Sequence, residues 1–289
     1  DFDVIHAHDW LSFLAGIRAH RISGKPLVVQ IHSTEFDRTG NTTGNYEVFT
    51  IEKNGMELAD SVIAVSNFTK NVITDKYGIS PNKVHVVHNG IAKPGHSPFE
   101  NDVLELKKHN RIVLFVGRLT LQKGPDYFLK AAKKVLEYES NVVFLMVGDG
   151  DMKEQLIREA VHAGISDKVI FTGFLRDSEL KKIYKSADLF VMPSVSEPFG
   201  IAGLESAING TPVLLSKQSG ISEILTHALK VDFWDIDEMT NKILAVLQHP
   251  PLKHTLKKHT LMESHLHTWH KAAKKVKNIY NSVINKTSA

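Results

Sequence analysis

The sequence predicts an α/β protein made of two doubly wound, Rossmann-like domains. Short apolar runs alternate with helical segments along the chain, an alternation typical of parallel sheets covered by helices. The alternation stops at residues 94–100, which hold two prolines and one glycine, and restarts after Arg111. At 289 residues the chain also exceeds one typical domain. We therefore expect a cleft between the domains, outside the carboxyl ends of the strands, where such sheets bind ligands.

The composition is that of an ordinary globular protein, with 42% hydrophobic and 23% charged residues. The formal net charge of +3 is too small to indicate nucleic-acid binding. No uninterrupted apolar run of about 18 residues is present, so we expect no membrane span. The chain has no cysteine, which excludes disulfides and thiolate metal sites and leads us to expect a cytoplasmic location. Six histidines from His249 to His270 lack a paired metal-ligand spacing, and we expect them on the surface.

The amino terminus indicates a fragment. The chain begins at Asp1 without an initiator methionine, and an apolar run that predicts a strand follows almost at once at Val4. Nothing there resembles a signal peptide. We therefore expect that an earlier part of the first domain is absent from this sequence.

The first half of the chain predicts an incomplete domain over residues 1–105. Its apolar runs predict strands at residues 3–8, 27–31, 61–65 and 83–87. Helices are expected at residues 11–22, 45–59 and 66–78, the last with Ser66 as its cap and Gly78 at its end. Residues 32–40 form a polar loop.

The second half predicts a complete domain over residues 106–267. Its strands are expected at residues 112–116, 141–147, 168–171, 187–192 and 212–215. Its helices are expected at residues 125–138, 152–163, 178–186, 221–225 and 235–247. A last helix with an apolar stripe is expected within residues 268–289.

Residues 194–205, Ser-Val-Ser-Glu-Pro-Phe-Gly-Ile-Ala-Gly-Leu-Glu, are the most informative stretch of the chain. They follow the buried strand predicted at residues 187–192. Pro198 suits the first turn of a helix, and Asn209 with Gly210 ends that helix. A helix that begins after a strand offers free N–H groups and the positive end of its dipole, which favours anion binding.

Two glutamates, Glu197 and Glu205, lie on either side of this helix start. Their carboxylates would accept hydrogen bonds from hydroxyl groups beside the anion site. A phosphate site flanked by hydroxyl acceptors favours a nucleotide sugar over a bare nucleotide. Taken alone, two glutamates near a helix start are also common as a capping pair or on a solvated surface.

The same stretch resembles the signature of retaining glycosyltransferases of the GT-B fold, in the family 4 (glycosyl transferases group 1) and glycogen synthase group. The shared features are Glu-Pro-Phe-Gly at residues 197–200 and the second glutamate after seven intervening residues. The resemblance implies that Glu197 holds the hydroxyls of the sugar and that Glu205 holds the ribose. It assigns further donor contacts to the backbone N–H groups of Phe199, Gly200 and Ile201.

A second motif, Gly-Arg-Leu-Thr-Leu-Gln-Lys-Gly at residues 117–124, follows a predicted strand and precedes a helix. It places two cations, Arg118 and Lys123, at the carboxyl end of the sheet. It lacks the Gly-Lys-Ser/Thr order of a Walker loop, and in isolation it could be a solvated loop. It resembles the diphosphate clamp of the same family, which implies that Arg118 and Lys123 bind the diphosphate and that Gly117 lies against the donor.

Two glycine-containing turns follow later strands. The turn at residues 147–150 contains Gly148, and the turn at residues 171–175 ends in Phe174 and Leu175. Both could be ordinary turns of a Rossmann-like sheet. The resemblance implies that the second turn presents its backbone to the donor base and that all three residues bind the donor.

His32 is the candidate catalytic residue of the first domain. It follows a predicted strand, and a lone histidine there is more often structural. In its context, Ile-His-Ser before a glycine-containing loop, it resembles the family's active-site histidine that contacts the transferred sugar. The segment His-Asp-Trp at residues 8–10 resembles the family's His-Asp-Trp segment, which shapes the acceptor side. Asn-Gly at residues 89–90 resembles the Asn-Gly that closes the family's first domain.

The resemblance covers essentially the whole chain and implies an enzyme that transfers a hexose, glucose above all, with retention of configuration. The expected donor is ADP- or UDP-glucose, the acceptor is a glycan or a small molecule, and no metal or other cofactor is expected. The last helix is expected to return to the first domain. Relatives carry a glycine-rich loop near their amino terminus that this sequence lacks, so activity of this chain by itself is in question. Two alternatives stay open: a nucleotide-sugar epimerase and a non-catalytic nucleotide-sugar-binding fragment.

Overall fold

The computed structural model describes residues 1–40, 44–92 and 107–287. The chain forms two compact units: Asp1–Gly90 with His267–Ala289 is the first, and Ile91–Leu266 is the second. Each unit holds a parallel sheet with helices packed on it, so the predicted α/β class is confirmed. The predicted boundary between residues 105 and 106 lies outside the described residues, as does the stretch at residues 94–100.

The sheet of the first unit has four parallel strands in the order β1-β2-β3-β4. The strands are β1 (Ile5–His8), β2 (Leu27–Ile31), β3 (Ser61–Ala64) and β4 (Val84–Val86). Every residue of β2 and β3 is buried, which explains why these runs are largely apolar without alternation. Because β1 and β2 are parallel, with His8 opposite Gln30, their carboxyl ends lie side by side.

The helices described in the first unit are α1 (Asp9–Ser23), α2 (Glu35–Arg38), α3 (Tyr46–Leu58), α4 (Asn67–Tyr77) and α11 (Trp269–Thr287), with a 3₁₀ turn at Pro81–Lys83. Ser66 caps α4 by accepting a hydrogen bond from the Thr69 N–H, and Gly78 ends it, as the sequence predicts. The short helix α2 is an addition to the prediction. Thr34 and Asp37 form a capping box there, so the expected polar loop contains one helical turn.

The carboxyl-terminal helix α11 packs on one face of the first sheet. Its buried side chains Ile279 and Val283 form a cluster with Val28, Ile63 and Val87. Burying these apolar surfaces is the main favourable contribution to such packing. The helix therefore belongs to the first unit although the whole second unit precedes it in sequence.

The sheet of the second unit has six parallel strands in the order β10-β9-β8-β5-β6-β7. They are β5 (Arg111–Val116), β6 (Val142–Val147), β7 (Val169–Gly173), β8 (Leu189–Met192), β9 (Val213–Ser216) and β10 (Leu229–Val231). The strand order runs outward in opposite directions from β5 and from β8. This pair is therefore the switch point of the sheet, and open α/β sheets bind ligands outside the carboxyl ends of such strands.

The helices described in the second unit are α5 (Pro125–Leu136), α6 (Lys153–His162), α7 (Asp177–Ser186), α8 (Ile201–Ile208), α9 (Ile236–Gln248) and α10 (Pro250–Ser264). Two 3₁₀ turns, at Leu121–Lys123 and Gly220–Glu223, lie in the loops after β5 and β9. Phe115, Phe128 and Phe144 are almost fully buried in the core between the sheet and α5.

Three details correct the sequence prediction. Helix α8 begins at Ile201 and not at Pro198, because Gly200 adopts a φ of 103° that no helix continues through. Helix α10 was not predicted, since its buried residues Leu256, Thr260 and Ser264 give it only a weak apolar stripe. Strand β10 has three residues and leaves too short a pattern to recognise. Of the six histidines from His249 to His270, four are exposed and two are partly exposed.

Across the described ranges, no helix is both long enough and apolar enough to cross a membrane.

Candidate active site

The loops after β5 and β8 are joined at the switch point of the second sheet. The Val195 N–H donates to the Gln122 carbonyl at 2.9 Å, and the Gln122 side-chain amide donates to the Ser196 carbonyl at 3.1 Å. Gly124 has a φ of 65°, and a Cβ at this position would lie 2.2 Å from the Pro193 carbonyl oxygen. The close approach of the two loops therefore requires glycine at position 124.

Lys123 and Glu197, predicted separately from the two motifs, form an ion pair. The Lys123 Nζ lies 2.7 Å from Glu197 Oε2, and the Ser194 hydroxyl donates to the same oxygen at 3.1 Å. The side chains are 22% and 8% exposed, so most of the water around them is excluded. A lysine that already has a carboxylate partner can share its remaining N–H donors with a second anion.

The backbone of Glu197 is fixed by the loop after β9. Its N–H donates to the Gln218 carbonyl at 2.9 Å, and its own carbonyl accepts from the Gly220 N–H at 2.9 Å. A further bond of 2.6 Å joins the Ile221 N–H to the Phe199 carbonyl. The loops after β5 and β9 thus hold the Glu-Pro-Phe-Gly segment. Main-chain bonds at the N–H and the carbonyl of Glu197 fix the position from which its carboxylate extends.

Helix α8 begins immediately after this segment. At Gly200 a Cβ would lie 2.8 Å from the Met192 Cε and 3.0 Å from the Ile221 Cγ2, which adds a steric reason for glycine to its positive φ. No side chain caps the helix, and the Gly203 N–H donates to the Gly200 carbonyl at 3.1 Å. The positive end of the helix dipole at Ile201 and Ala202 favours an anion there. Phe199 is buried, whereas Ile201 is 40% exposed at the helix start.

Glu205 lies on α8, whereas Glu197 lies in the loop before it. Glu205 has a partner that the sequence did not reveal. The hydroxyl of Tyr184, on α7, donates to Glu205 Oε2 at 3.0 Å. Burial raises the pKa of Tyr184 well above its usual value, and the nearby Glu205 carboxylate raises it further. Tyr184 therefore stays protonated and fixes one oxygen of Glu205.

The guanidinium of Arg118 is exposed and makes no hydrogen bond or ion pair with any residue in the described ranges. Beside it, Gly117 donates its N–H to the Val147 carbonyl at 3.0 Å. A Cβ at Gly148, whose φ is 134°, would lie 2.0 Å from the Gly117 carbonyl oxygen. The two glycines thus bring the ends of β5 and β6 into backbone contact.

The turn after β7 continues this backbone surface. The Gly148 N–H donates to the Gly173 carbonyl at 2.9 Å, which joins the end of β7 to the end of β6. Phe174 follows with 78% of its surface exposed, and Leu175 is partly buried. Both residues therefore lie two strands away from β5, beyond Gly117 and Gly148, at the same carboxyl edge.

His32 lies in the first unit, directly after β2. Its backbone N–H donates to Asp9 Oδ1 at 2.7 Å, and its ring Nε2 lies 3.0 Å from the Nδ1 of His8. Asp9 has a φ of 54°, the one positive φ of a non-glycine residue in the described part of the chain. Such backbone strain is concentrated at functional sites in proteins, which makes the turn at the end of β1 a candidate functional position of the first unit.

A buried polar network supports the loop that follows His32. Arg38 donates to the Ser33 carbonyl at 2.9 Å, to Glu52 at 2.5 Å and to Glu35 at 3.1 Å. Tyr77 donates to Glu52, which is 1% exposed. Burial raises the pKa of Glu52, although Tyr77 and Arg38 act in the opposite direction. The sequence did not reveal this network, because its members are spread over three helices.

The four catalytic residues predicted from the sequence thus fall in two places. Arg118, Lys123 and Glu197 lie on the loops of the second unit's switch point, and His32 lies in the first unit. Within the described ranges, no three or more histidine, cysteine, aspartate or glutamate residues are grouped so that they could hold a metal ion.

Comparison with known families gives an assignment for both units. The model of the family described as "Glycosyl transferases group 1" matches residues 97–261, which is more than half of the chain. The model of "Glycosyltransferase Family 4" matches residues 1–92. The chain belongs to the glycosyl transferases group 1 family. The resemblance seen in the motifs is thereby confirmed.

Curated relatives of this group 1 glycosyltransferase include enzymes of several specificities. An uncharacterized glycosyltransferase of Methanocaldococcus jannaschii is 36% identical over 78% of the chain and 60% of the relative. The alpha-maltose-1-phosphate synthase of Mycolicibacterium smegmatis is 34% identical over 77% of the chain and 61% of the relative. A glycogen synthase of Mycobacterium tuberculosis is 30% identical over 78% and 54%. The chain thus spans between about half and two thirds of these relatives.

Solved structures confirm the GT-B fold of this group 1 glycosyltransferase. Sucrose-phosphate synthase from Thermosynechococcus elongatus matches 99% of the chain and 74% of its own length, with a TM-score of 0.82 and 22% identity. Anabaena HepE, solved in complex with UDP and glucose, matches 97% of the chain and 78% of its own length, with a TM-score of 0.84 and 20% identity.

Proposed function

We propose that this glycosyltransferase transfers a glucosyl unit from ADP- or UDP-glucose to a glycan or small acceptor, with retention of anomeric configuration. In the reaction, the bond from the anomeric carbon to the diphosphate breaks and a bond to the acceptor oxygen forms. The nucleoside diphosphate departs with the bonding electron pair, and the acceptor hydroxyl gives its proton to an oxygen of that leaving diphosphate. Negative charge therefore develops on the diphosphate, and stabilising that charge is the main task of the site.

The observation that carries the proposal is the Lys123–Glu197 pair at the switch point of the second sheet. One member is a cation suited to the diphosphate, and the other is a carboxylate suited to the sugar hydroxyls. Their 2.7 Å separation supports the proposal that one ligand, in which a diphosphate joins its sugar, contacts both groups. Arg118, exposed and without a side-chain partner in the described ranges, supplies the second cation.

The remaining roles follow along the same edge of the sheet. The backbone from Phe199 through Gly200 to Ile201, where α8 begins, directs its N–H groups and the helix dipole at the phosphates. Glu205, held by Tyr184, accepts hydrogen bonds from the ribose hydroxyls. The backbone at Phe174 and Leu175 faces the base. His32 contacts the transferred sugar from the first unit.

Named relatives support a glucosyl donor. The related proteins include a glycogen synthase and an alpha-maltose-1-phosphate synthase, and HepE has been solved with UDP-glucose. The proposed charge stabilisation uses Arg118 and Lys123, and we propose no resident metal or other cofactor. The acceptor class and the cytoplasmic location stay predictions.

The test is a transfer assay with radiolabelled ADP- and UDP-glucose and a panel of glycan, sugar-phosphate and sugar acceptors. It is run on this chain and on a longer protein, made by extending the chain at its amino terminus with the glycine-rich loop expected from relatives. We expect labelled product from the longer protein, with the anomeric configuration of the donor by NMR, and little turnover by this chain alone. Comparable turnover by the two would contradict the expectation that relatives' glycine-rich loop is needed. Interconversion of the donor without an acceptor would indicate an epimerase, and binding without turnover would indicate a binding module.

A further inference from the structure

Three histidine rings form a column at the carboxyl ends of β1 and β2. The ring centroids of His6 and His8 are 4.1 Å apart, and those of His8 and His32 are 5.3 Å apart with nearly parallel planes. His6 and His8 point to the same side of β1 because they are two residues apart in a strand. The Tyr280 hydroxyl, on α11, lies 2.6 Å from the Nδ1 of His6 and closes the column at its other end.

The last two rings are joined by a hydrogen bond that contains one proton. The Nδ1 of His8 lies 3.0 Å from the Nε2 of His32, a distance that fits one N–H between them. Two protons would clash in this gap, and two bare lone pairs would repel each other. Burial lowers the pKa of His8, and the charge of His32 lowers it further although Asp9 raises it. At neutral pH His8 is therefore neutral and carries one ring proton.

One shared proton couples the tautomers of the two rings whenever each ring carries a single proton. If His8 donates from its Nδ1, its Nε2 is bare and His32 carries its own proton on Nδ1. If His32 donates from its Nε2, its Nδ1 is bare and His8 carries its proton on Nε2. In either case both rings have the same tautomer. The Nδ1 of His32 has no partner in the described part of the chain, so it is the ring nitrogen left for a ligand.

The position of both rings is set by their backbone. The Ser12 hydroxyl accepts from the His8 N–H at 2.7 Å, and Asp9 Oδ1 accepts from the His32 N–H at 2.7 Å. Asp9, whose φ is positive, lies between these two hydrogen bonds: it follows His8 in sequence, and its carboxylate accepts from His32. Backbone hydrogen bonds on both His8 and His32 thus fix the contact between the two rings at a strained turn. An incidental surface contact has no such support.

We propose that His8 is a positioning residue that fixes the ring orientation of His32 and couples the tautomer of His32 to its own, so that only the Nδ1 of His32 meets the transferred sugar. The contact with sugar rests on the proposed function, whereas the coupling of the tautomers does not. His6 supports the ring of His8 from the other side. The pKa of His6 is lowered to about 4, mainly by burial and then by the charges of His8 and His32, so His6 adds no charge to the column at neutral pH.

The coupling can be tested without any activity. In the ¹⁵N-labelled chain at pH 8, long-range ¹H–¹⁵N correlation spectra report which ring nitrogen of each histidine carries the proton. The His8→Asn and His32→Asn variants assign the two signals. His20 is an internal reference, because its Nδ1 lies 2.7 Å from the Lys25 carbonyl and must be the protonated nitrogen. We expect one and the same tautomer for His8 and His32. Opposite tautomers, or the mixture found in free imidazole, would overturn the proposal.

The positioning role has a separate kinetic test in an active preparation of the longer protein. We expect His8→Ala to lower kcat/KM by about 10–100-fold, the usual range when a partner that orients a functional histidine is lost. His8→Asn should recover part of this loss, since its side-chain amide can occupy the place of Nδ1. The affinity for the nucleoside diphosphate should not change in either variant, and His20→Ala is the matched control. Unchanged kcat/KM in His8→Ala would overturn the role. Absence of transfer by the unsubstituted protein would instead contradict the proposed function and leave the tautomer result to decide the inference.

Discussion

The Nζ of Lys123 lies 2.7 Å from Oε2 of Glu197, although 74 residues separate the two in sequence. The pair joins the loop after β5 to the loop after β8, the two strands from which the sheet order runs outward. The site therefore already contains a matched cation and anion before any ligand is bound. Each substitution within the pair changes both the ligand contact and the charge balance of the partner left behind.

Replacing either proposed diphosphate-binding residue should weaken nucleotide binding. We expect Arg118→Ala and Lys123→Ala each to reduce the affinity for the nucleoside diphosphate by about 1.5–3 kcal/mol, the range of charge-assisted hydrogen bonds. Calorimetric titration measures this loss, and Lys130→Ala, which removes an exposed lysine paired with Asp126, is the control. Lys123→Ala should also lower the unfolding temperature, because it leaves Glu197 buried without its cation. Unchanged affinity in both variants would refute the assignment.

The two glutamates of the motif should respond differently to loss of charge. Glu205→Gln should weaken the nucleoside diphosphate and the nucleotide sugar equally, since both contain the ribose. Glu197→Gln should weaken the nucleotide sugar alone, because the sugar hydroxyls lose their acceptor while Lys123 is released to the phosphates. Parallel titrations of the two ligands into each variant distinguish these outcomes. Equal losses for both ligands in both variants would show that the roles are not divided in this way.

Tyr184→Phe should reproduce a part of the Glu205 effect from a residue outside the proposed contact surface. Removing the hydroxyl that donates to Glu205 Oε2 should cost about 0.5–1.5 kcal/mol of nucleotide affinity, the usual net value of one hydrogen bond. The same substitution in a Glu205→Gln background should cost less, because the charged acceptor is already lost. Additive effects in this double-mutant cycle would show that the two side chains act independently.

Gly117 and Gly148 form a matched pair in which alanine should have different effects. At Gly117 the nearest atom to an added Cβ is 3.6 Å away, so Gly117→Ala should fold normally and weaken nucleotide binding by occupying the surface. At Gly148 an added Cβ would lie 2.0 Å from a backbone oxygen, and the φ of 134° is unfavourable for alanine. Gly148→Ala should therefore lower the free energy of unfolding by about 1–3 kcal/mol or more. Thermal unfolding with and without nucleotide measures both effects, and equal stability of the two variants would contradict this account.

His6 should make the stability of the chain depend on pH between about 4 and 6.5. Its pKa is about 4 in the folded chain and 6.5 in its ordinary state, so the unfolded chain binds more protons in this window. The contribution of His6 is therefore fully present above pH 6.5 and is lost as the pH falls to about 4. Urea unfolding of the unsubstituted chain and of His6→Gln is measured at pH 7, 6, 5 and 4.5. The free energy of unfolding of the unsubstituted chain should fall relative to that of the variant as the pH is lowered. A constant difference would mean that the proton affinity of His6 is unchanged by folding.

The sequence predicted the order of the elements because that information is local. Apolar runs such as Leu27–Ile31 and capping residues such as Ser66 determine strands and helix ends over a few neighbours. The start of α8 was misplaced for the opposite reason. The positive φ of Gly200 delays the helix start, and side chains from β8 and from the loop after β9 leave no room for a Cβ there. Those contacts are not visible in the motif.

In the candidate site, too, the features set by local sequence were predictable and those set by distant contacts were not. Two motifs that resemble those of the family predict Arg118, Lys123, Glu197 and Glu205 as site residues. The structure describes where each of them lies. Their partners were not predictable in this way. Tyr184 lies on a different helix from Glu205, and the pairing of Glu52 with Tyr77 joins α3 to α4. Such contacts depend on how the sheet brings distant segments together, which a single sequence does not encode in any short pattern.

The glycines at the ends of β5, β6 and β7 have a consequence for the entropy of binding. Gly117, Gly148 and Gly173 present main-chain atoms, joined strand to strand by hydrogen bonds, along the carboxyl edge of the sheet. A ligand that rests on this surface immobilises no side-chain rotamers there, and each immobilised side chain would cost about 0.5–1.5 kcal/mol. The shape of the surface is fixed by the sheet itself, before any ligand arrives. Discrimination between ligands must then come from the few side chains at its margins.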